Sequence, residues 1–155
     1  MILLPAAGII PYIKINNSVF YLLGKEKSNG KWSGFVGNSK VDDLSIPITA
    51  IREFNEETCE IFSEYLMTIN RLLTKTNPVV ISKNNNKNIY IYFIEFPMYF
   101  LNNSININFK NNLIKNKNKK EYTEKTLVGW FSKKSLMENE NVIKSLKNII
   151  KELNH

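Results

Sequence analysis

Four glutamates, Glu53, Glu56, Glu57 and Glu60, follow Arg52 in the run IREFNEETCEIF. On a helix, positions i, i+3 and i+4 put Glu53, Glu56 and Glu57 within about 100° of one face. Like charges at that spacing each weaken a helix by about 0.2–0.5 kcal/mol. Arg52 can pair with Glu56 at i+4, but one guanidinium cannot neutralise four carboxylates. A bound divalent cation would remove the repulsion. Clustered carboxylate oxygens suit Mg²⁺ or Mn²⁺, ions that also hold substrate phosphates. A solvated acidic face accounts for the same residues without a metal.

Other chemistries have few residues to use. Cys59 is the one cysteine, so no intrachain disulfide or Cys-rich zinc site can form. The single histidine is His155, the last residue, which argues against a His-based triad or a His metal site. Acid–base and metal chemistry therefore falls to Asp and Glu. Cys59 reads as a small buried residue, since a catalytic thiol would lack a His partner. The chain has 155 residues, 43% of them hydrophobic and 23% charged, which fits one globular domain over residues 1–155. Its formal charge of +7 suits polyanionic ligands such as nucleotides or RNA, or serves solubility alone. The opening residues MILLPAAGIIPYIKI are apolar over too short a stretch to span a membrane. They read as a first strand of a soluble, intracellular, cytoplasmic protein.

The elements around the glutamates follow from periodicity. Residues 7–15 and 19–24 predict a strand pair around the turn formers Asn16-Asn17-Ser18. Residues 25–34 predict a polar loop, and Phe35-Val36 a short apolar step. Residues 46–62 predict a helix, with Pro47 in its first turn and Ser45 or Asp43 as its cap. Ala50, Ile51, Phe54, Ile61 and Phe62 fall on one arc and the glutamates on the other. Residues 66–74 and 79–82 predict strands, 84–88 a turn, and 89–96 a central strand ended by Pro97. Residues 105–109 alternate like an edge strand. Residues 110–120 (KNNLIKNKNKK) predict a basic loop, 127–131 a last strand, and 133–153 a helix packed on the sheet. Strands, helix, strands, helix point to a mixed α/β sandwich.

Residues 37–60 resemble the Nudix box, Gx5Ex7REUxEExGU with U aliphatic. Arg52-Glu53-Phe54-Asn55-Glu56-Glu57 fits its REUxEE core. Gly34-Phe35-Val36-Gly37-Asn38 resembles the GFPGG that leads into the box. Ala7-Gly8-Ile9-Ile10 and Tyr21-Leu22-Leu23-Gly24 resemble the first strands, and Glu124 with Gly129-Trp130-Phe131 resembles a late E…W segment. The box departs at both ends. Without gaps its isolated Glu falls on Leu44 and its last Gly on Cys59. With one extra loop residue, Gly37 takes the Gly position, Asp43 the Glu position, and Lys40-Val41 matches a common Lys-Val; this register keeps a carboxylate. Replacing the final Gly removes the usual left-handed helix stop, so the helix is expected to run past Cys59.

The resemblance implies an α/β/α sandwich with a mixed β-sheet and a Mg²⁺- or Mn²⁺-dependent hydrolase of diphosphate linkages in nucleoside diphosphate derivatives. It implies that Glu56 and Glu57 bind metal, that Glu53 binds metal or acts as base, and that Arg52 orients a carboxylate. The Gly37 or Asn38 carbonyl would add a ligand. Glu124 would be a further ligand or base, with Glu121 as competitor. Trp32, Phe35 and Lys40 are the candidate substrate contacts. Trp32 and Tyr12 could stack on a base or simply pack, and Phe35 could equally belong to the core. The basic run 110–120 could hold the phosphates of a capped RNA or be a solvated insertion. Members of that family are often dimers, which makes a homodimer a candidate assembly, while the sequence itself does not report oligomeric state. The alternative is a binding module that senses nucleotide or RNA through a degenerate box without cleaving it.

Overall fold

The computed structural model describes residues 3–83, 86–102 and 104–155. Seven strands form one mixed sheet: β1 (Ala6–Ile15), β2 (Ser18–Glu26), β3 (Trp32–Ser33), β4 (Phe35–Asn38), β5 (Val79–Lys83), β6 (Lys87–Glu95) and β7 (Lys125–Ser132). β1 buries Ala7, Ile9 and Ile13 on one face and Ile10 on the other. A strand apolar on both faces must lie inside a sheet covered on both sides. β1 pairs antiparallel with β2 and β4 and parallel with β6. Asn16 makes the β1–β2 turn at φ 54°, a left-handed conformation that Asn tolerates better than most residues. β7 and β3 pair with β2, and β5 closes the edge beside β6.

Helices cover both faces. α1 (Ile46–Glu57), α2 (Leu66–Leu73) and α3 (Ser104–Lys115) pack on one, with Phe54 at the centre touching Phe35, Phe62 and Phe96. α4 (Lys133–Glu138) and α5 (Lys144–Lys151) pack on the other through Leu136, Leu146 and Ile150. The result is the expected α/β/α sandwich. Among the described residues no helix is long and apolar enough to cross a membrane.

Several expectations need correction. Residues 66–73 of the strand expected over 66–74 form α2 instead, with Ile69 and Leu73 four apart and both buried. Residues 105–109 open α3, not an edge strand: Ile105 and Phe109 are buried at i and i+4 while Ile107 between them is exposed. Over five residues, alternation and helical spacing share those two positions. Much of the basic run 110–120 continues α3 instead of forming a loop. The loop 25–34 is shorter than expected, since β2 runs to Glu26 and β3 starts at Trp32. The helix over 133–153 is two helices, α4 and α5. The turn over 84–88 falls partly outside the described residues, and β6 starts at Lys87.

The end of α1 overturns the expected extension. Ser45 caps its start, accepting from the Ile48 N–H, and Thr58 caps its end. Cys59 and Glu60 take φ of 51° and 62°. The Cys59 N–H reaches the Glu56 carbonyl at 3.1 Å and the Glu60 N–H reaches Asn55 at 2.9 Å, the two bonds of a Schellman closure. A non-glycine residue in that conformation costs about 1–2 kcal/mol. Tertiary bonds offset it: the Cys59 thiol donates to the Tyr122 carbonyl at 2.9 Å, and the Asn112 amide donates to the Cys59 carbonyl at 2.8 Å.

Candidate functional site

Arg52 organises the start of the site. Its Nε and Nη2 grip both oxygens of Asp43 at 3.2 and 2.8 Å. Nη2 also donates to the Asn38 carbonyl at 2.9 Å, and Nη1 donates to Glu53 at 2.9 Å and reaches Glu56 at 3.4 Å. The loop after β4 is thus tied to α1, and two carboxylates are oriented by one planar fork. The hydrogen bond from Arg52 holds Asp43 well below the usual carboxylate range, and the Asp43 bond raises Arg52. Asp43 is therefore spent on Arg52, while Leu44 is 89% exposed. Neither residue joins the glutamate cluster.

The glutamates of α1 are not a solvated face. Glu53, Glu56 and Glu57 are all buried, Glu57 to 2% exposure. One carboxylate oxygen from each of Glu53, Glu57 and Glu124 lies within 4.8 Å of the others. Glu124 joins this cluster, and Glu121 lines the neighbouring cleft without joining it. Glu57 Oε2 is buried and finds no hydrogen-bond partner among the described residues. Burial pushes the Glu57 carboxyl well up, and Glu53, Glu124 and Glu26 push the same way against the opposing effect of Lys125. Glu53 and Glu124 are also raised, first by burial and then, for Glu124, by Glu26. A Cβ on Gly37 would collide with the Glu53 carboxylate, so β4 lies against that side chain only because residue 37 has none.

A cleft of about 660 Å³ opens over this cluster, lined by Gly37, Arg52, Glu53, Glu56 and Glu124 together with Lys40, Lys87 and Lys120. Anionic and cationic groups thus face one space, as a metal–phosphate complex requires. Val36 and Ile89 also line a second pocket of about 210 Å³, walled by aliphatics including Ile91, Leu146 and Ile149.

Two expected substrate contacts are corrected. Phe35 is fully buried, edge-on to Phe54. Trp32 packs edge-on against Phe131 at 4.8 Å and does not line the cleft. Tyr12 stacks on His155 at 4.1 Å instead. Lys40 does line the cleft. Of the basic run, only Lys120 reaches the cleft lining.

Sequence reasoning missed Lys87, whose ammonium donates to the Asn38 side chain, and it missed Lys125. Lys125 is 1% exposed and ion-paired with Glu26 at 2.7 Å and Glu57 at 3.4 Å. A register shift where β2 meets β7 pairs Lys25 with Leu127 but Glu26 with Lys125. This bulge turns Lys125 to the face that Val128 buries, which strict alternation would deny it. A lysine next to Glu124 was the available signal, and nothing local reports its burial.

No protein-family model matches the sequence, and no curated protein matches it significantly. Solved structures do match. A NUDIX-family hydrolase from Clostridium perfringens superposes with a TM-score of 0.58 at 17% identity, covering 98% of this chain and 96% of its own. The chain has the Nudix fold. An Ap4A hydrolase from C. elegans matches at a TM-score of 0.55 and 13% identity, over 95% of this chain and 93% of its own. The NUDIX domain of Shewanella oneidensis NrtR, solved with ADP ribose, matches at 0.55 and 11% identity, over 97% and 86%. The Nudix fold accounts for the order of the elements and for α1 lying beside β4.

Proposed function

We propose that this chain is a divalent-metal-dependent Nudix hydrolase that cleaves a diphosphate linkage in a nucleotide-type substrate: a nucleotide, a dinucleotide or a capped RNA. The observation that carries the reading is Glu57. Its carboxylate is buried beside Glu53 and Glu124, and one oxygen has no partner among the described residues. A buried, unsatisfied carboxylate oxygen among like charges is costly unless a cation joins it. The donor set fits Mg²⁺ or Mn²⁺, which favour carboxylate oxygens. Glu53, Glu57 and Glu124 would hold the ion, with Glu56 and the Gly37 carbonyl at the edge of the same cleft. Bound there, the ion would neutralise diphosphate charge and activate water.

The chain's own residues supply the rest. Arg52 fixes Glu53 and Glu56 in place. Lys40, Lys87 and Lys120 face the cleft and would hold phosphate oxygens. Glu124, on the exposed side of the cluster with a raised carboxyl, or Glu53 would take the proton from water. The aliphatic pocket that shares Val36 and Ile89 with the cleft would receive the non-phosphate part of the substrate.

A second reading is a nucleotide-binding module. It is favoured by the engagement of Asp43 with Arg52, which leaves the position of the isolated box glutamate without a carboxylate in the cluster. One assay separates the two. Purified protein is incubated with Mg²⁺ and, in turn, ADP-ribose, dinucleoside polyphosphates, nucleoside triphosphates and capped RNA. Release of a mononucleotide product, lost in Glu57→Gln with the fold intact, is expected. Saturable binding with no turnover across the panel would favour the module.

A further inference from the structure

The acidic cluster contains a cation of its own. Lys125 Nζ donates to Glu26 Oε1 at 2.7 Å, to Ser33 Oγ at 2.6 Å and to the Gly34 carbonyl at 3.0 Å. An ammonium has three N–H donors, and these three acceptors use them. Glu57 Oε1, at 3.4 Å, is thus held chiefly by the field of the charge. The lysine stem is fixed as well. It lies against Gly24, where an added Cβ would sit 2.8 Å from Lys125 Cδ, and its ammonium lies 5.8 Å from the centre of the Phe35 ring. Strands β2 and β3 and the bulge in β7 therefore converge to hold one charge at a set point beside Glu57.

We propose that Lys125 is a positioning residue: it turns Glu57 so that Oε1 faces the ammonium and Oε2 stays free for the divalent cation. The proposal rests on the metal-dependent reading above. Lys125 is shut away from the cleft at 1% exposure, so it acts through Glu57 and not on substrate. Glu26 and Ser33 are its anchors.

The two roles open to Lys125 differ in sign. A cation that merely sits near a metal site repels the metal, so its removal tightens metal binding. A cation that orients a ligand loosens metal binding when removed, by about 10- to 100-fold for groups behind the ligands. Mn²⁺ binding to the full chain, followed by electron paramagnetic resonance, reads this directly without turnover. Wild type is expected to bind Mn²⁺; if it does not, the metal-dependent reading falls and this proposal with it. Given wild-type binding, K125M is expected to raise the Mn²⁺ Kd about 10- to 100-fold, and K125R to restore much of the loss. E26Q is expected to shift the Kd the same way by less, and K125M/E26Q to bind no more weakly than K125M. In turnover, kcat falls at fixed metal while substrate KM holds. Unchanged or tighter Mn²⁺ binding in K125M overturns the proposal. If K125M does not fold, E26Q decides, and a wild-type Kd there overturns it.

Discussion

Glu57→Gln should make the metal-free protein more stable while removing its metal response. The distances set the sign. Across 3.4 Å to Lys125, an effective dielectric of about 20 gives an attraction of about 5 kcal/mol. Within 4.8 Å of Glu53 and Glu124, ionised Glu57 meets a repulsion of at least about 3.5 kcal/mol from each. The two repulsions exceed the attraction by about 2 kcal/mol, before the desolvation of the unpartnered Oε2 is counted. A glutamine keeps the shape, lets its amide donate to a neighbouring carboxylate, and leaves Lys125 paired with Glu26. In EDTA at pH 8 the variant should therefore melt about 4–8 °C higher, at about 2–4 °C per kcal/mol for a chain of this size.

The pH dependence has a definite direction. Glu57 is raised in the folded state, so the native protein holds more protons than the unfolded chain above the ordinary glutamate range. The Glu57 contribution to wild-type stability falls as pH rises through that window, and its full penalty is present above the folded pKa. The advantage of the glutamine should accordingly vanish near pH 4 and grow towards pH 8. With Mg²⁺ at about a hundred times its Kd, wild type should gain about 2.7 kcal/mol and the variant nothing, which would narrow or invert the order. Thermal melts by circular dichroism, with and without Mg²⁺ at several pH values, measure all of this. A metal-free variant less stable than wild type at pH 8 would refute the reasoning and make Glu57 a structural partner of Lys125.

Three further outcomes are expected. Asp43→Asn should cost about 1–3 kcal/mol at pH 7 through the loss of charge-assisted bonds to Arg52; because Asp43 is lowered in the fold, this stability is present above the unfolded carboxylate pKa and lost as pH falls through the folded one, so acid titration of the variant should be flatter. Gly37→Ala should displace the Glu53 carboxylate, costing about 1–3 kcal/mol by overpacking and weakening Mn²⁺ binding in the same preparation. Cys59→Gly should stay within about 1 kcal/mol of wild type in urea, since relief of the left-handed backbone balances the lost thiol, whereas Cys59→Val, β-branched at positive φ, should lose more than about 2 kcal/mol.

Periodicity carried much of the fold. The β1–β2 pair, β6 and the body of α1 were legible because each has a long enough run for period 2 and period 3.6 to differ. The segments that became α2 and the start of α3 were misread as strands. Both are short, and Ile105 and Phe109 satisfy either period over five residues. Only a neighbouring surface chooses between them: Phe109 is buried against the sheet and Ile107 faces out. The end of α1 was misjudged for a different reason. A cysteine does not favour left-handed backbone by itself, and its stabilising partners, the Tyr122 carbonyl that accepts from its thiol and the Asn112 amide that donates to its carbonyl, lie more than fifty residues away.

The sequence by itself determined that Glu53, Glu56 and Glu57 share one side of a helix, because helical geometry depends only on spacing. It also determined that Arg52 stands within reach of Glu56, and it picked out Glu124 as a distant carboxylate. Tertiary structure decided what those charges meet. It buried Glu57, spent Asp43 on Arg52, put Phe35 in the core and Trp32 on Phe131, and turned Lys125 inward through one extra residue in β7. Burial and charge pairing are sums over segments far apart in the chain, so spacing along one segment cannot report them.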